Sequence, residues 1–135
     1  MAYLPHQVVP KWIPVTKAYT DFSTAGPTND IEVFSLPAGG VIHGVKTKHS
    51  TSFTGGAISS YTISVGIAGN LTKYASAYDV FQATGNTAFQ LSNTVGSENH
   101  GASTSIRAAA TSGGANLDAA TAGSVTIWIL SSSAV

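Results

Sequence analysis

Residues 60–67 alternate strictly between two kinds of side chain, and this alternation constrains the fold more than any other feature of the sequence. Four apolar residues fall on one face of an extended segment, and small or polar residues fall on the other: Tyr61, Ile63, Val65 and Ile67 against Ser60, Thr62, Ser64 and Gly66. A period of two sustained over a whole segment is typical of a half-buried antiparallel strand. We therefore predict an antiparallel sheet with one face on a core.

Further short strands are predicted on both sides of this segment, separated by turns rich in Gly, Pro and Asn. They cover Ile31–Leu36, Val41–His49, Thr87–Ser92, Ser103–Ala110 and Ser124–Leu130. Many short strands with such connections indicate an all-β sandwich or barrel. The fold class predicted is an antiparallel β-sandwich, jelly-roll-like, and an immunoglobulin-like order of strands stays open. In Val41–His49, the alternation places Val41, His43, Val45, Thr47 and His49 on one face.

Residues 72–82 have a different pattern. Tyr74, Tyr78 and Phe81 are spaced at i, i+4 and i+7, with alanines between them, which favours one or two helical turns. A ragged strand is the alternative. The sequence therefore predicts at most one short helix.

Residues 1–20 are predicted to form an extended N-terminal arm, and residues 21–135 a single sandwich domain. Pro5, Pro10 and Pro14 make a helix or a central strand improbable before Val15. The arm either folds back on its own domain or docks on a neighbouring subunit. Its apolar side chains suit both arrangements: Tyr3, Leu4, Val8, Val9, Trp12 and Ile13.

The last predicted strand is apolar on both faces. Val125, Ile127 and Ile129 suit the core, which leaves Trp128 and Leu130 on a face that needs cover. Together with the arm, these two residues form the predicted assembly interface, which comprises Tyr3, Leu4, Val8, Val9, Trp12, Ile13, Trp128 and Leu130.

The charge balance favours self-association and excludes several classes of protein. Six Lys and Arg residues balance six Asp and Glu residues, and charged residues make up 9% of the chain. Such a chain lacks the basic footprint of a nucleic-acid-binding protein, and little repulsion opposes a homo-oligomer, for which a trimer is the best single expectation. No apolar run is long enough for a membrane helix, no signal peptide is recognisable, and there is no cysteine.

No arrangement of residues points to catalysis, so we predict a non-enzymatic protein without cofactor, metal or small-molecule substrate. Gly-x-Ser-x-Gly is absent, and His43 and His49 lie too far apart on one strand to bind a single metal ion. The carboxylates are expected to be solvated charges and turn caps. A sugar platform built from Trp12, Trp128, Tyr61, Tyr74 and Tyr78 is the alternative, although most of these rings suit a core.

Three segments, residues 31–42, 61–70 and 117–130, resemble the small β-sandwich structural proteins of tailed bacteriophage virions. The resemblance lies in the succession of strand, Pro-Gly break and strand, and in the closing hairpin. It implies a capsid decoration or cement protein, often trimeric, that binds the major capsid protein on the outer surface of the head. Such a protein is made in the host cytoplasm. The alternative is a tail-fibre or carbohydrate- and receptor-binding module. The resemblance supplies no catalytic residues.

Overall fold

The computed structural model describes residues 10–91 and 101–132. Eight strands and one short helix account for most of them. In chain order, the elements are β1 Lys11–Ala18, α1 Tyr19–Phe22, β2 Thr28–Leu36, β3 Val41–Thr54, β4 Ser60–Ile67, β5 Asn70–Asp79, β6 Thr87–Leu91, β7 Thr104–Gly113, a 3₁₀ turn at Leu117–Ala119 and β8 Ala122–Ser132. The predicted all-β class with a single short helix is confirmed. Within these ranges, no helix is long and apolar enough to cross a membrane.

The strands form two four-stranded antiparallel sheets that pack as a sandwich. Sheet I has the order β1-β8-β3-β6, and sheet II has the order β2-β7-β4-β5. Strand β1 pairs with β8, β2 with β7, β3 with β6, and β4 with β5. These nested pairs are those of one long hairpin rolled into two layers, which is the jelly-roll order. The strand order thus selects the jelly roll over the immunoglobulin-like alternative.

The core lies between the inner faces of the two sheets. Strand β4 matches its predicted bounds, and its predicted inner face is confirmed, since Tyr61, Ile63 and Val65 are almost fully buried. Beside them in sheet II, β7 buries Ile106, Ala108 and Ala110, and on the facing sheet I, β8 buries Val125, Ile127 and Ile129. Two sheets that bury one face each in this way need no metal or disulfide to hold them together.

The predicted helical turns at residues 72–82 are wrong, because Asn70–Asp79 is strand β5. Tyr74, Ala75 and Tyr78 are all buried. Ala75 and Tyr78 are three residues apart but pair with Val65 and Ile63, which are two apart, so an extra residue in β5 breaks the simple alternation. That irregularity, rather than a helical period, explains the pattern.

A second irregularity changes the predicted face of β3. The register shifts between Ile42 and Gly44, so Ile42 faces the core and is fully buried, while Val41 and His43 are only half-buried. The prediction that Val41 and His43 share the face of Val45 is therefore wrong, because the inserted residue reverses the alternation. Beyond the shift, Val45 and His49 face inward as expected.

Half of the predicted arm is part of the sandwich. The arm was predicted either to fold back on its own domain or to dock on a neighbouring subunit, and Lys11–Ala18 is β1, which pairs along its whole length with β8. Pro14 is compatible with this pairing because β1 is an edge strand, where a missing backbone donor can face solvent. Tyr3, Leu4, Val8 and Val9 lie outside the described residues.

Two buried tyrosines differ in how their hydroxyl groups are satisfied. The Tyr78 hydroxyl donates to the Asn86 carbonyl oxygen at 2.7 Å and lies 2.8 Å from Nδ1 of His49. The Tyr61 hydroxyl is buried beside Phe53 without a hydrogen-bond partner in the described part of the chain. Burial raises the pKa of both phenols, so each is present as the neutral hydroxyl.

Replacement of tyrosine by phenylalanine should affect the free energy of unfolding differently at these two positions. Tyr61→Phe removes an unsatisfied buried hydroxyl, so we expect the free energy of unfolding to stay constant or rise by about 1 kcal/mol. Tyr78→Phe leaves His49 and Asn86 each short of a partner, so we expect a loss of about 1–3 kcal/mol. Urea denaturation of both variants measures the difference, and equal effects would contradict the hydrogen-bond assignment.

Ile63→Asp should be among the most damaging single substitutions. It places an unpaired carboxylate on a core position that is 1% exposed, at a cost of several kcal/mol. Thr62→Asp is the matched control, because the neighbouring side chain points away from the core. Thermal melting should separate the two variants widely, and similar melting temperatures would show that the face of β4 is misassigned.

Candidate assembly interface

The outer face of sheet I consists of three rows of side chains that run across all four strands. In an antiparallel sheet, directly opposed residues lie on the same face, so the register defines each row. The first row is Trp12, Leu130, Gly44 and Leu91; the second is Pro14, Trp128, Lys46 and Phe89; the third is Thr16, Thr126, Lys48 and Thr87. We call the first two rows the aromatic face.

Three aromatic rings and one lysine lie close together on the aromatic face. The rings of Trp12 and Phe89 approach to 5.8 Å between centroids, although their strands β1 and β6 are the two opposite edges of the sheet. The Lys46 ammonium lies 4.6 Å from the Trp128 ring centroid and 5.7 Å from that of Trp12. These are cation–π distances, so the rings hold the ammonium in place. Gly44 carries no side chain and leaves room for Leu91 beside it.

The aromatic face is apolar and remains open to solvent. Phe89 is 54% exposed, Leu91 68% and Trp12 40%, and these are the three most exposed large hydrophobic side chains of the described ranges. Sheet II differs, because the start of β5 covers part of its outer face. Ser64 donates to the Leu71 carbonyl oxygen at 2.9 Å, and a Cβ atom at Gly66 would collide with the Leu71 main chain. Over residues 10–91 and 101–132, the most exposed large apolar side chains therefore lie together on sheet I, and a contiguous apolar patch of this kind marks an interaction site.

The structure brings together three of the eight residues predicted for the interface. Trp12, Trp128 and Leu130 lie side by side on the aromatic face. Ile13 lies on the other side of β1 opposite Ile129, where it lines a shallow groove with Phe34. The remaining four, Tyr3, Leu4, Val8 and Val9, fall outside the described residues. The face of β8 that carries Trp128 and Leu130 is only partly covered by its neighbours.

Sequence reasoning missed Phe89, Leu91 and Lys46. Phe89 and Leu91 alternate with Ala88 and Gln90, and an isolated pattern of this kind would assign the two large apolar residues to the core. In the structure, Gln90 points toward sheet II instead, where its amide oxygen accepts from the Ser76 backbone N–H at 2.7 Å and its amide nitrogen donates to Ser76 Oγ at 2.6 Å. With Gln90 bonded to sheet II in this way, Phe89 and Leu91 lie on the outer face of sheet I. These hydrogen bonds join residues of different sheets, so the local sequence pattern does not predict them.

Both described histidines and two of the carboxylates in turns have structural partners. His43 Nε2 lies 2.7 Å from the Ser132 hydroxyl, and His49 is fully buried between Tyr78 and the Gln82 carbonyl oxygen. Asp21 and Asp79 accept backbone N–H groups in the turns where they lie. Over residues 10–91 and 101–132, no three His, Asp or Glu side chains come close enough together to hold a metal ion. Glu98 and His100, which could contribute two metal ligands from one loop, are outside these ranges.

The aromatic residues considered for sugar binding divide into two groups. Tyr61, Tyr74 and Tyr78 are core residues, which confirms the expectation that most of the rings are buried. Trp12 and Trp128 are at the surface, but their neighbours in the three rows are apolar residues, lysines and threonines. The row contacts include none of the amide or carboxylate groups that commonly fix sugar hydroxyls.

Comparison with known proteins gives structural matches but no sequence family. No protein-family model matches the chain, and no curated protein matches it significantly. Among solved structures, a chain of the capsid asymmetric unit of cyanophage Pam1 is similar, with a TM-score of 0.63 and 24% sequence identity. The match covers 98% of this chain and 92% of that one. At this identity, the comparison establishes a shared sandwich fold over the whole chain.

The aromatic face should be dispensable for folding. We expect the double variant Phe89→Ser/Leu91→Ser to lose less than about 1 kcal/mol of unfolding free energy, because both side chains are already largely hydrated. Ile129→Ser, on the inner face of the same sheet, should cost several kcal/mol. Denaturant titration compares the two, and a large loss in the double variant would assign these residues to the core.

Proposed function

We propose that this protein is a non-enzymatic structural component of a phage virion, and specifically a decoration or cement protein on the outside of the capsid. Its partners in this proposal are the major capsid protein and further copies of itself, with a trimer as the expected oligomer. The observation that carries the proposal is the open aromatic face on a sandwich whose fold is found in the Pam1 capsid asymmetric unit.

Two features of the fold support a docking role. First, the likeness extends over nearly the whole of both chains, so it concerns the complete sandwich rather than a shared hairpin. Second, the exposed apolar side chains are concentrated on one flat sheet face, which suits docking on a broad surface. A binding cleft for a small molecule would instead be concave and enclosed.

The alternative function is a tail-fibre or carbohydrate-binding module, and one observation favours it. Trp12 and Phe89 expose ring surface at neighbouring positions, as in a sugar platform. The absence of amide and carboxylate side chains from the three rows favours a protein partner instead. Glycan screening of the purified protein tests this alternative.

Occupancy on capsid shells tests the proposal directly. We expect the full-length protein to bind shells that lack it, and Phe89→Ser/Leu91→Ser to lose at least about tenfold in affinity, since truncation of central apolar anchors costs the most. Leu71→Ser on sheet II is the control, because it removes a partly exposed leucine from the opposite face. Sedimentation with shells measures binding, and a full-length chain with no affinity for any shell would contradict the proposal.

The contribution of the arm is tested by a shorter deletion than the sequence alone would indicate. Removing residues 2–14 would also remove half of β1, so residues 2–9 are the appropriate deletion. If the arm docks on a neighbour, the sandwich stays folded, and either the molar mass from light scattering or the occupancy on shells decreases. If both stay unchanged, the arm has no role in assembly.

A further inference from the structure

The chain is neutral overall, but the charged residues in the strands of sheet I are all positive, whereas sheet II carries both signs. The strands of sheet I contain four lysines and no carboxylate: Lys11, Lys17, Lys46 and Lys48. The described carboxylates lie in β2, at the end of β5, in α1 and in the 3₁₀ turn: Asp30, Glu32, Asp79, Asp21 and Asp118. A net charge of zero therefore conceals a molecule with one basic sheet.

The two lysines of the outer face, Lys46 and Lys48, have no charge partner in the described ranges. Arg107 shows the contrast, since its Nε donates to Asp30 on sheet II in an ion pair. Lys46 contacts the rings of Trp12 and Trp128 instead. Aromatic rings orient an ammonium group and shield it from water, but they do not neutralise its charge.

The positions of the lysines relative to the apolar rows define what kind of surface would fit. Lys46 lies within the second row, and Lys48 lies next to it in the third, so the positive charge is at one side of the apolar patch. A partner that covered the patch would desolvate Lys46, which is costly unless an opposite charge lies against it. Two cations are too few to bind a nucleic acid, and a bound nucleic acid would leave the apolar first row uncovered.

Resting on the proposed function, we propose that the aromatic face docks on a protein surface of the shell that places carboxylates against Lys46 and Lys48, beside apolar side chains that cover Trp12, Phe89 and Leu91. The partner is identified by this chemistry, a carboxylate pair at the margin of an apolar patch. Charge complementarity of this kind sets the orientation and the rate of association, and the apolar rows supply the contact area.

The test measures binding to shells that lack the protein, at 0.1 M and 1 M salt. In Lys46→Met/Lys48→Met, the side chains keep their length but lose their charge. We expect binding to weaken roughly tenfold at 0.1 M salt, and the difference from wild type to shrink at 1 M, where the Debye length falls from about 10 Å to about 3 Å. Lys46→Arg/Lys48→Arg should retain most of the affinity.

The control is Lys11→Met/Lys17→Met. It removes the same charge from the same sheet, at register positions opposite Ser131 and Val125 and outside the three rows. This variant should bind as wild type does at both salt concentrations. Melting temperatures of all variants verify that each is folded.

The outcomes separate this proposal from the function on which it rests. If the wild type binds and the Lys46→Met/Lys48→Met variant binds equally well, the acidic partner is refuted while the capsid role stands. If both methionine pairs weaken binding equally, the effect is general charge and the assignment to the outer face is wrong. If the Lys46→Met/Lys48→Met variant changes only the molar mass in light scattering, the aromatic face contacts a second copy of the chain and the proposal fails. If the wild type does not bind, both proposals fail together.

Discussion

Strand β8 is hydrogen-bonded along both edges, to β1 on one side and to β3 on the other, and it carries apolar side chains on both faces. Its inward residues, Val125, Ile127 and Ile129, are fully buried and hold sheet I on the core. Its outward residues, Trp128 and Leu130, cannot share that core, because alternate side chains of a strand point to opposite faces. Strand β8 therefore contributes side chains both to the core and to the apolar outer face of sheet I.

The edge strands of the sandwich are poorly suited to pairing with a strand of another protein. Pro14 interrupts the free edge of β1, and the register shifts between Glu32 and Phe34 in β2. Strand β5 is irregular, and β6 has five residues. Prolines, bulges and short strands are common ways to prevent edge-to-edge pairing of sheets. The most exposed large apolar side chains of residues 10–91 and 101–132 lie instead on the aromatic face of sheet I, whereas β5 covers part of sheet II.

The sequence predicts the strands wherever alternation is regular and fails where the backbone inserts a residue. Ser60–Ile67 was predicted with the correct bounds and inner face, since nothing interrupts its period. The predicted face of Val41 and His43 is wrong because of the register shift before Gly44, and the predicted helix at β5 is wrong because an extra residue between Ala75 and Tyr78 interrupts the period of two. Bulges depend on the neighbouring strand, which local periodicity does not contain.

The candidate interface was predictable in part for the same reason. Trp128 and Leu130 follow from the alternation within β8, and Trp12 from the apolar character of the arm. Phe89 and Lys46 join them only because β1, β3 and β6 lie in one sheet, which brings the rings of Trp12 and Phe89, 77 positions apart in sequence, to 5.8 Å between centroids. Long-range pairing of this kind gives no local signal, and the polar bridge from Gln90 to Ser76 reverses the face that composition would assign.

We propose that the aromatic face of sheet I is the surface by which the protein joins a shell. A cryo-electron microscopy reconstruction of the particle that carries this chain tests this most directly. We expect the jelly roll on the outside of the capsid, with Trp12, Phe89 and Leu91 buried against the shell and sheet II toward solvent. A particle in which the aromatic face points to solvent, or from which the protein is absent, would contradict it.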